Sequence, residues 1–259
     1  MSVMQFIADV HGAHDLLKEK LDHTLPLAVL GDNLNLVDFR NLSGVAARVL
    51  TPADIGRILL ALSTGGPKKA MELANDLFFQ NPERVAAAQI EISKDYRQLA
   101  EVLPLDALVL HGNVDYPELL SAAIGLRWIE AETRSIDGVK VGFLSGTGSY
   151  PYSMHLPGEI SDGQYTEKLW SLGNVDVLCT HFPPAVDGLT WDVVAKRDEG
   201  GGAMLTDYLR QVKPKLHLFG HIHNPKISEL RFESTLLKNV GGFRYHGQVH
   251  QIDLERIGI

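Results

Sequence analysis

Five short stretches of this chain carry side chains of the types that can bind metal ions: Asp9-Val10-His11, Gly31-Asp32, Gly112-Asn113-Val114-Asp115, Thr180-His181 and Gly220-His221-Ile222-His223. Carboxylate, amide and imidazole donors without thiolates suit Mn, Fe, Zn or Co better than Mg or Ca, and the donor set does not choose among the four. One Asp-x-His alone carries no weight, because a lone histidine is most often an ordinary surface or core residue. Five stretches of this kind are harder to obtain by chance. A carboxylate following a glycine at a strand end, as Asp32 does, can reach two metals about 3.5–4 Å apart. Asp32 is therefore the candidate bridge.

The elements that must position these groups are legible as apolar runs. Met4-Gln5-Phe6-Ile7-Ala8, Leu27-Ala28-Val29-Leu30, Leu108-Val109-Leu110, Val175-Asp176-Val177-Leu178 and Leu216-His217-Leu218-Phe219 each precede one of the five stretches and read as buried strands. Side chains delivered from strand ends are how an α/β sheet builds a pocket beyond its carboxyl edge. Between these runs lie helical patterns, which favours an α/β architecture.

In order and identity the five stretches resemble the calcineurin-like metallophosphoesterase family, whose pattern is D-x-H, G-D-x-x-D, G-N-H-D, a later His, and G-H-x-H. The resemblance covers roughly residues 1–40 and 105–245. Gly142 to Ser149 and Thr180-His181-Phe182-Pro183-Pro184 look most like a predicted, Icc-related phosphoesterase subgroup. It implies one α/β domain over 1–259, a two-sheet α/β/β/α sandwich, and hydrolysis of a phosphomonoester or phosphodiester. Two divalent or trivalent transition metals (Mn, Fe, Zn or Co) would hold a hydroxide that attacks phosphorus in line with the leaving group. Asp9, His11 and His223 would complete one metal site around Asp32, and Asn113, His181 and His221 the other. The alternative is a metal-binding interaction module without useful turnover.

Two residues depart from the pattern. Asn35 stands where the second Asp of G-D-x-x-D is usual, and Val114 where the His of G-N-H-D is usual. That histidine is thought to help protonate the leaving group, and valine can neither donate a proton nor hydrogen-bond a phosphate. Substitutes are sought among histidines: His155, in the loop after Gly146-Thr147-Gly148-Ser149-Tyr150-Pro151-Tyr152, and His111. The side chains expected to take part in the reaction are thus Asp32, Asn113, Asp115 and His155. Asp115 either orients the Asn113 loop or a metal-bound imidazole, or simply caps a helix. Gly200-Gly201-Gly202 opens a helical pattern whose free N–H groups could hold an anion, or is a flexible loop. Gly241-Gly242 reads as a turn.

The distance from Asp32 to Asn113 is long for a connection that needs only about 30 residues. Thr51-Pro52 with Asp54 is an N-cap, a proline at the first helical position and an acidic first turn. Ile55, Ile58, Leu59 and Leu62 share a helical face. Gly65-Gly66-Pro67 breaks that helix, with Met71, Ala74 and Phe78 continuing beyond it. Asn81-Pro82 caps another, carrying Val85, Ala88, Ile92, Tyr96, Leu99 and Leu103. Residues of about 41–104 are therefore expected as a helical insertion: a lid or wall beside the site, a surface for homo-oligomerisation, or packing on the core.

Composition narrows the partners. At 259 residues, 45% hydrophobic and 22% charged, the chain has ordinary globular values. A formal charge of −8 argues against a nucleic-acid or anionic-membrane surface, leaving a small phosphorylated substrate as the expected partner. One cysteine, Cys179, makes no disulfide framework. With no signal peptide or long apolar span evident, cytoplasm is the expected location.

Overall fold

The structure, a computed structural model, describes residues 3–38 and 43–258. Residues 41 and 42, where the expected insertion begins, lie outside the described residues. In chain order the first half runs β1 (Val3–Ile7), α1 (His14–Lys20), β2 (Leu27–Leu30), α2 (Val45–Val49), α3 (Pro52–Phe79), α4 (Pro82–Val102), β3 (Leu108–Leu110) and α5 (Pro117–Ile124). It continues with β4 (Ala131–Ile136), β5 (Val139–Leu144), α6 (Asp162–Ser171), β6 (Val177–Thr180), β7 (Trp191–Asp192), β8 (Arg197–Asp198), α7 (Ala203–Val212) and β9 (Leu216–Phe219). The last elements are β10 (Glu229–Phe232), β11 (Thr235–Asn239), α8 (Phe243–His246), β12 (His250–Asp253) and α9 (Glu255–Gly258).

The strands form two main sheets, ordered β12-β1-β2-β3 and β10-β11-β9-β6-β5-β4, plus the small β7-β8 ribbon. Pairs β1–β2, β2–β3, β5–β6, β6–β9 and β9–β11 are parallel, and the edge strands β12, β10 and β4 pair antiparallel. Side chains alternate between faces with period two. Met4, Phe6, Ala28, Leu30, Leu108 and Leu110 face Val141, Phe143, Val177, Cys179, Leu216 and Leu218 across the space between the sheets. The opposite positions Ile7, Leu27, Val29 and Val109 pack under helices that include α1 and α4. On the other sheet, Leu178, Phe219 and Leu237 pack under Tyr165 and Leu169 of α6 and Leu205, Tyr208 and Leu209 of α7. The result is the four-layer α/β/β/α sandwich, and burial on both faces explains why the strands read as continuous apolar runs.

The helical segment follows its sequence signals closely. Thr51 accepts from Asp54 N, and the Asp54 carboxylate accepts from Thr51 N, a reciprocal capping box. Gly66, at φ 76° and ψ −178°, breaks α3 where the glycine pair stands. Asn81 accepts from Glu83 N and Arg84 N at the start of α4. Of the apolar face expected on α4, Ala88, Ile92, Tyr96 and Leu99 are buried in the core. Both helices pack on the core, α3 through Ile58, Ala61 and Phe78 and α4 through the residues just named, and α3 also presents Met71 to the recess described below. The short α2 has no counterpart in the sequence reading. Asn35 helps to start it, since its carbonyl accepts from Val45 N and its amide donates to Ser43 Oγ.

Candidate metal centre

Each of the five parallel strands β1, β2, β3, β6 and β9 ends one to three residues before a candidate ligand. The chain must then turn sharply to bring side chains from two sheets together. Asp9, His11, Asp32 and His221 adopt left-handed backbone, at φ 59°, 43°, 53° and 72°. Asp and His tolerate this region better than most residues, though at a cost. His221 leaves the strand line in this way, which lets it and His223 both approach the site.

Asp9, His11, Asp32 and His223 place one donor atom each within 4.8 Å of one another, a group able to hold a metal ion. His11 Nε2 lies 2.9 Å from His223 Nε2 and 3.7 Å from Asp32 Oδ2. His223 Nε2 is 3.8 Å from Asp9 Oδ1. A second set converges on the other oxygen of Asp32: His181 Nε2 is 3.4 Å from Asp32 Oδ1 and 3.1 Å from Asn113 Oδ1. That amide oxygen is 2.9 Å from His221 Nδ1. Backbone carbonyls hold two imidazoles so that Nε2 faces inward, Leu34 O against His11 Nδ1 and Leu30 O against His181 Nδ1.

These residues fit metal ions on several counts. Asp9 and Asp32 are buried at 0% and 2% exposure and repel each other, an arrangement that bound cations relieve. Burial alone would lower the His181 pKa, but Asp32 and Asp9 outweigh it and raise it to about 9. Burial, and then the charge of His181, lowers His221 to about 3. Glycines clear the space: a Cβ on Gly112 would run into Asp32 Oδ1, and one on Gly241 into Asp9 Oδ2. Gly241-Gly242 is thus more than a turn, since Gly242 N also donates to Asp9 Oδ2 at 2.8 Å.

Asp115 clamps the two ligand loops together. Its fully buried carboxylate accepts from Asn33 N, Asn33 Nδ2, Leu34 N, Gly112 N and Tyr96 OH. Tyr96 comes from α4, so the helical segment reinforces the site from behind. No helix-cap bond from Asp115 replaces this role, because α5 starts after Tyr116 without a side-chain cap.

A recess of about 320 Å³ opens over the centre, floored by His11, Asp32, Asn113, His221 and His223. That is at the lower end of the roughly 300–1,000 Å³ typical of small-molecule pockets. The loop after Gly146 overhangs it as expected, contributing Tyr150, Tyr152 and Met154. His155 stands apart from the other candidates. It is exposed and sits in an adjoining hollow, with Nδ1 3.3 Å from Ser153 Oγ. Glu159 accepts the N–H groups of both Met154 and His155, and Met154 rather than the imidazole lines the recess. His111 is buried with its ring stacked on Trp128, and burial lowers its pKa to about 3. At the glycine run, Gly200 N donates to Asp198 and Gly202 N to Pro183 O, which ties the loop ahead of α7.

Sequence reasoning missed Tyr150 and Glu159. The Asn113 amide N–H donates to Tyr150 OH at 3.1 Å, and Tyr150 OH donates to Glu159 Oε1 at 2.7 Å. This chain fixes the Asn113 amide with its oxygen toward His181 and His221.

No protein-family profile matches the chain. It is 33% identical over 115 residues to a UPF0046 protein of Caenorhabditis elegans, covering 43% of this chain and 27% of that protein. Over 76 residues it is 37% identical to metallophosphoesterase domain-containing protein 1 of Homo sapiens, covering 29% of this chain and 22% of the relative. The chain thus spans about a quarter of the length of the curated relatives it matches. One solved structure aligns over 98% of this chain and 96% of its own with a TM-score of 0.58 at 14% identity. A second, the protein TT1561 of Thermus thermophilus, aligns over 98% and 99% with a TM-score of 0.50 at 11% identity. The fold is an α/β sandwich of the metallophosphoesterase type. In sequence the chain resembles the calcineurin-like metallophosphoesterases over part of its length. No helix among the described residues is long and apolar enough to cross a membrane.

Proposed function

We propose that the chain hydrolyses small phosphomonoesters or phosphodiesters with two transition metals, and that Asp32 bridges them. The observation that carries this reading is the division of the Asp32 oxygens, Oδ2 toward His11 and Oδ1 toward His181. Asp9, His11 and His223 would hold one ion and Asn113, His181 and His221 the other. When bound, the ions supply positive charge at the phosphoryl oxygens and a nucleophile at neutral pH. The chain's own residues hold that charge in place: Asp115 fixes both loops, and Tyr150 with Glu159 fixes the Asn113 amide. Mn, Fe, Zn and Co remain equally suited to the donor set.

Purified protein reconstituted with Mn should contain two metals per chain by elemental analysis and release nitrophenolate from an aryl phosphodiester. At most one metal after reconstitution would reject the two-metal site. Two metals without turnover on any ester would favour the interaction-module reading.

Tyr150→Phe should lower metal affinity about 10–100-fold, the usual cost of losing a group that orients a ligand. A chelator-competition titration reads this directly. Unchanged affinity would mean that Asn113 needs no such support.

Val114 predicts a steep dependence of rate on leaving-group pKa, because no side-chain acid stands at that position. Val114→His should help alkyl esters selectively, by a factor near the lower end of the roughly 10²–10⁴-fold range for general acids. His155→Ala should leave the dependence unchanged, given where His155 lies. A flat dependence that steepens only in His155→Ala would overturn this reading.

A further inference from the structure

Beside the recess lies a second pocket, between α2, α3 and the segment 154–156. Val37, Met71 and Met154 line both spaces, so the pocket continues the wall over the metal centre. Val114 packs against the same hydrophobic core as Val37 and Met154. The departure from the family pattern is therefore part of an apolar surface rather than an isolated loss. Deeper in, Ala46, Leu50, Ile58 and Phe78 form the pocket, and no charged side chain among the described residues lines it. Two of its polar side chains are turned to other partners: Asn75 Nδ2 donates to Met154 O, and Ser43 Oγ accepts from Asn35 and Arg244.

The charged residues that line the recess around Arg197 offer little to a polyanion. Arg197 donates to Glu199 at 2.8 and 3.0 Å and lies over the Tyr152 ring. Asp192 is engaged by Val194 N, Ala195 N and Asn224 N. Arg197, the one lysine or arginine among the described residues lining the recess, is thus paired in place and not presented to a second phosphate.

We propose that the substrate is a phosphoester carrying a short apolar ester group, and that this group occupies the pocket joined to the metal centre through Val37, Met71 and Met154. This rests on the phosphoesterase reading above. The pocket holds about 60 Å³, room for a few carbons and not for a long lipid tail. Transfer of each methylene from water should then strengthen binding until the space is full.

The test uses the full chain with Mn and a series of 4-nitrophenyl alkyl phosphodiesters from methyl to hexyl. The leaving group stays constant, so chain length changes only binding of the alkyl group. kcat/KM should rise by up to about fourfold per added methylene and level off near butyl. Affinity for the matching alkylphosphonates, measured by calorimetry, should follow the same course without requiring turnover. Ala74→Leu, which fills the pocket, should flatten the hexyl-to-methyl ratio, with Ala47→Leu serving if the first variant fails to fold. Turnover of every ester with a flat ratio would overturn the pocket assignment and leave the phosphoesterase reading standing. No turnover, with a phosphonate affinity that still climbs and is flattened by the filled pocket, would support the pocket and sink the hydrolytic reading. A climb that persists in both filled variants, or faster turnover of a glyceryl ester than of the butyl ester, would overturn the proposal.

Discussion

Asp32→Ala should bind no metal stoichiometrically and lose phosphodiester hydrolysis by at least about 10³-fold, equivalent to roughly 4 kcal/mol of transition-state stabilisation. The reason is geometric. One carboxylate serves both donor groups, with its Oδ2 3.7 Å from His11 Nε2 and its Oδ1 3.4 Å from His181 Nε2. Removing any other ligand weakens one group, whereas removing Asp32 weakens both. Burial tends to raise its pKa, but His181 beside it holds the carboxyl well below the usual range, so the charge is present at neutral pH. Wild-type protein should also melt at a higher temperature with Mn than with a chelator, since an ion bound to the native state stabilises it by mass action. That increment should vanish in Asp32→Ala. A variant that keeps two metals and a tenth of the activity would dismiss the bridging role.

The candidate ligands were legible because buried parallel strands leave a strong mark. Each is a short apolar run, and a polar residue directly after such a run stands where the sheet ends. The clearing glycines were partly legible: Gly112, and Gly31, whose Cβ would run into His181 Nδ1, fall inside the candidate ligand stretches, but nothing local ties Gly241 to Asp9. Gly242 N reaches Asp9 Oδ2 across 233 positions of sequence. The support from α4 was invisible for the same reason. Tyr96 looked like one more apolar residue of a helical face, and its hydroxyl meets Asp115 only because that face packs behind the ligand loops.

The loop that carries His155 overhangs the recess, as its place after Gly146 suggested. What orients the loop is Glu159, which collects Met154 N, His155 N, Ser153 Oγ and Tyr150 OH. Those bonds bring Tyr150 to Asn113 and leave His155 in solvent. Likewise, the helix after Gly202 formed as read, with Leu205, Tyr208 and Leu209 buried. Its leading glycines are tied to Pro183 and Asp198, a tertiary detail that composition does not carry.

Asp115→Ala should be the most destabilising single change at the centre that touches no proposed metal ligand directly. The carboxylate is 0% exposed and gathers donors from the β2 loop, the β3 loop and α4. Its removal strands Asn33 N, Leu34 N, Gly112 N and Tyr96 OH away from water, and each orphaned donor costs about 1–3 kcal/mol. The costs do not add in full, because the loops relax and water can enter the new space. A net loss of about 3–5 kcal/mol is expected, in line with removing one partner from a buried charged network, and a large share of the roughly 5–15 kcal/mol that a domain has. Urea denaturation in the presence of a chelator isolates this from metal binding. Tyr96→Phe removes one donor to Asp115 together with the acceptor of Tyr116 N, and should cost about 1–3 kcal/mol, which grades the effect. In whatever Asp115→Ala protein remains folded, metal affinity should fall as well, since Asp32 and Asn113 sit on the two loops that the carboxylate joins. A stability within about 1 kcal/mol of the wild type, less than the cost of one orphaned donor, would mean that the loops hold their shape without the clamp.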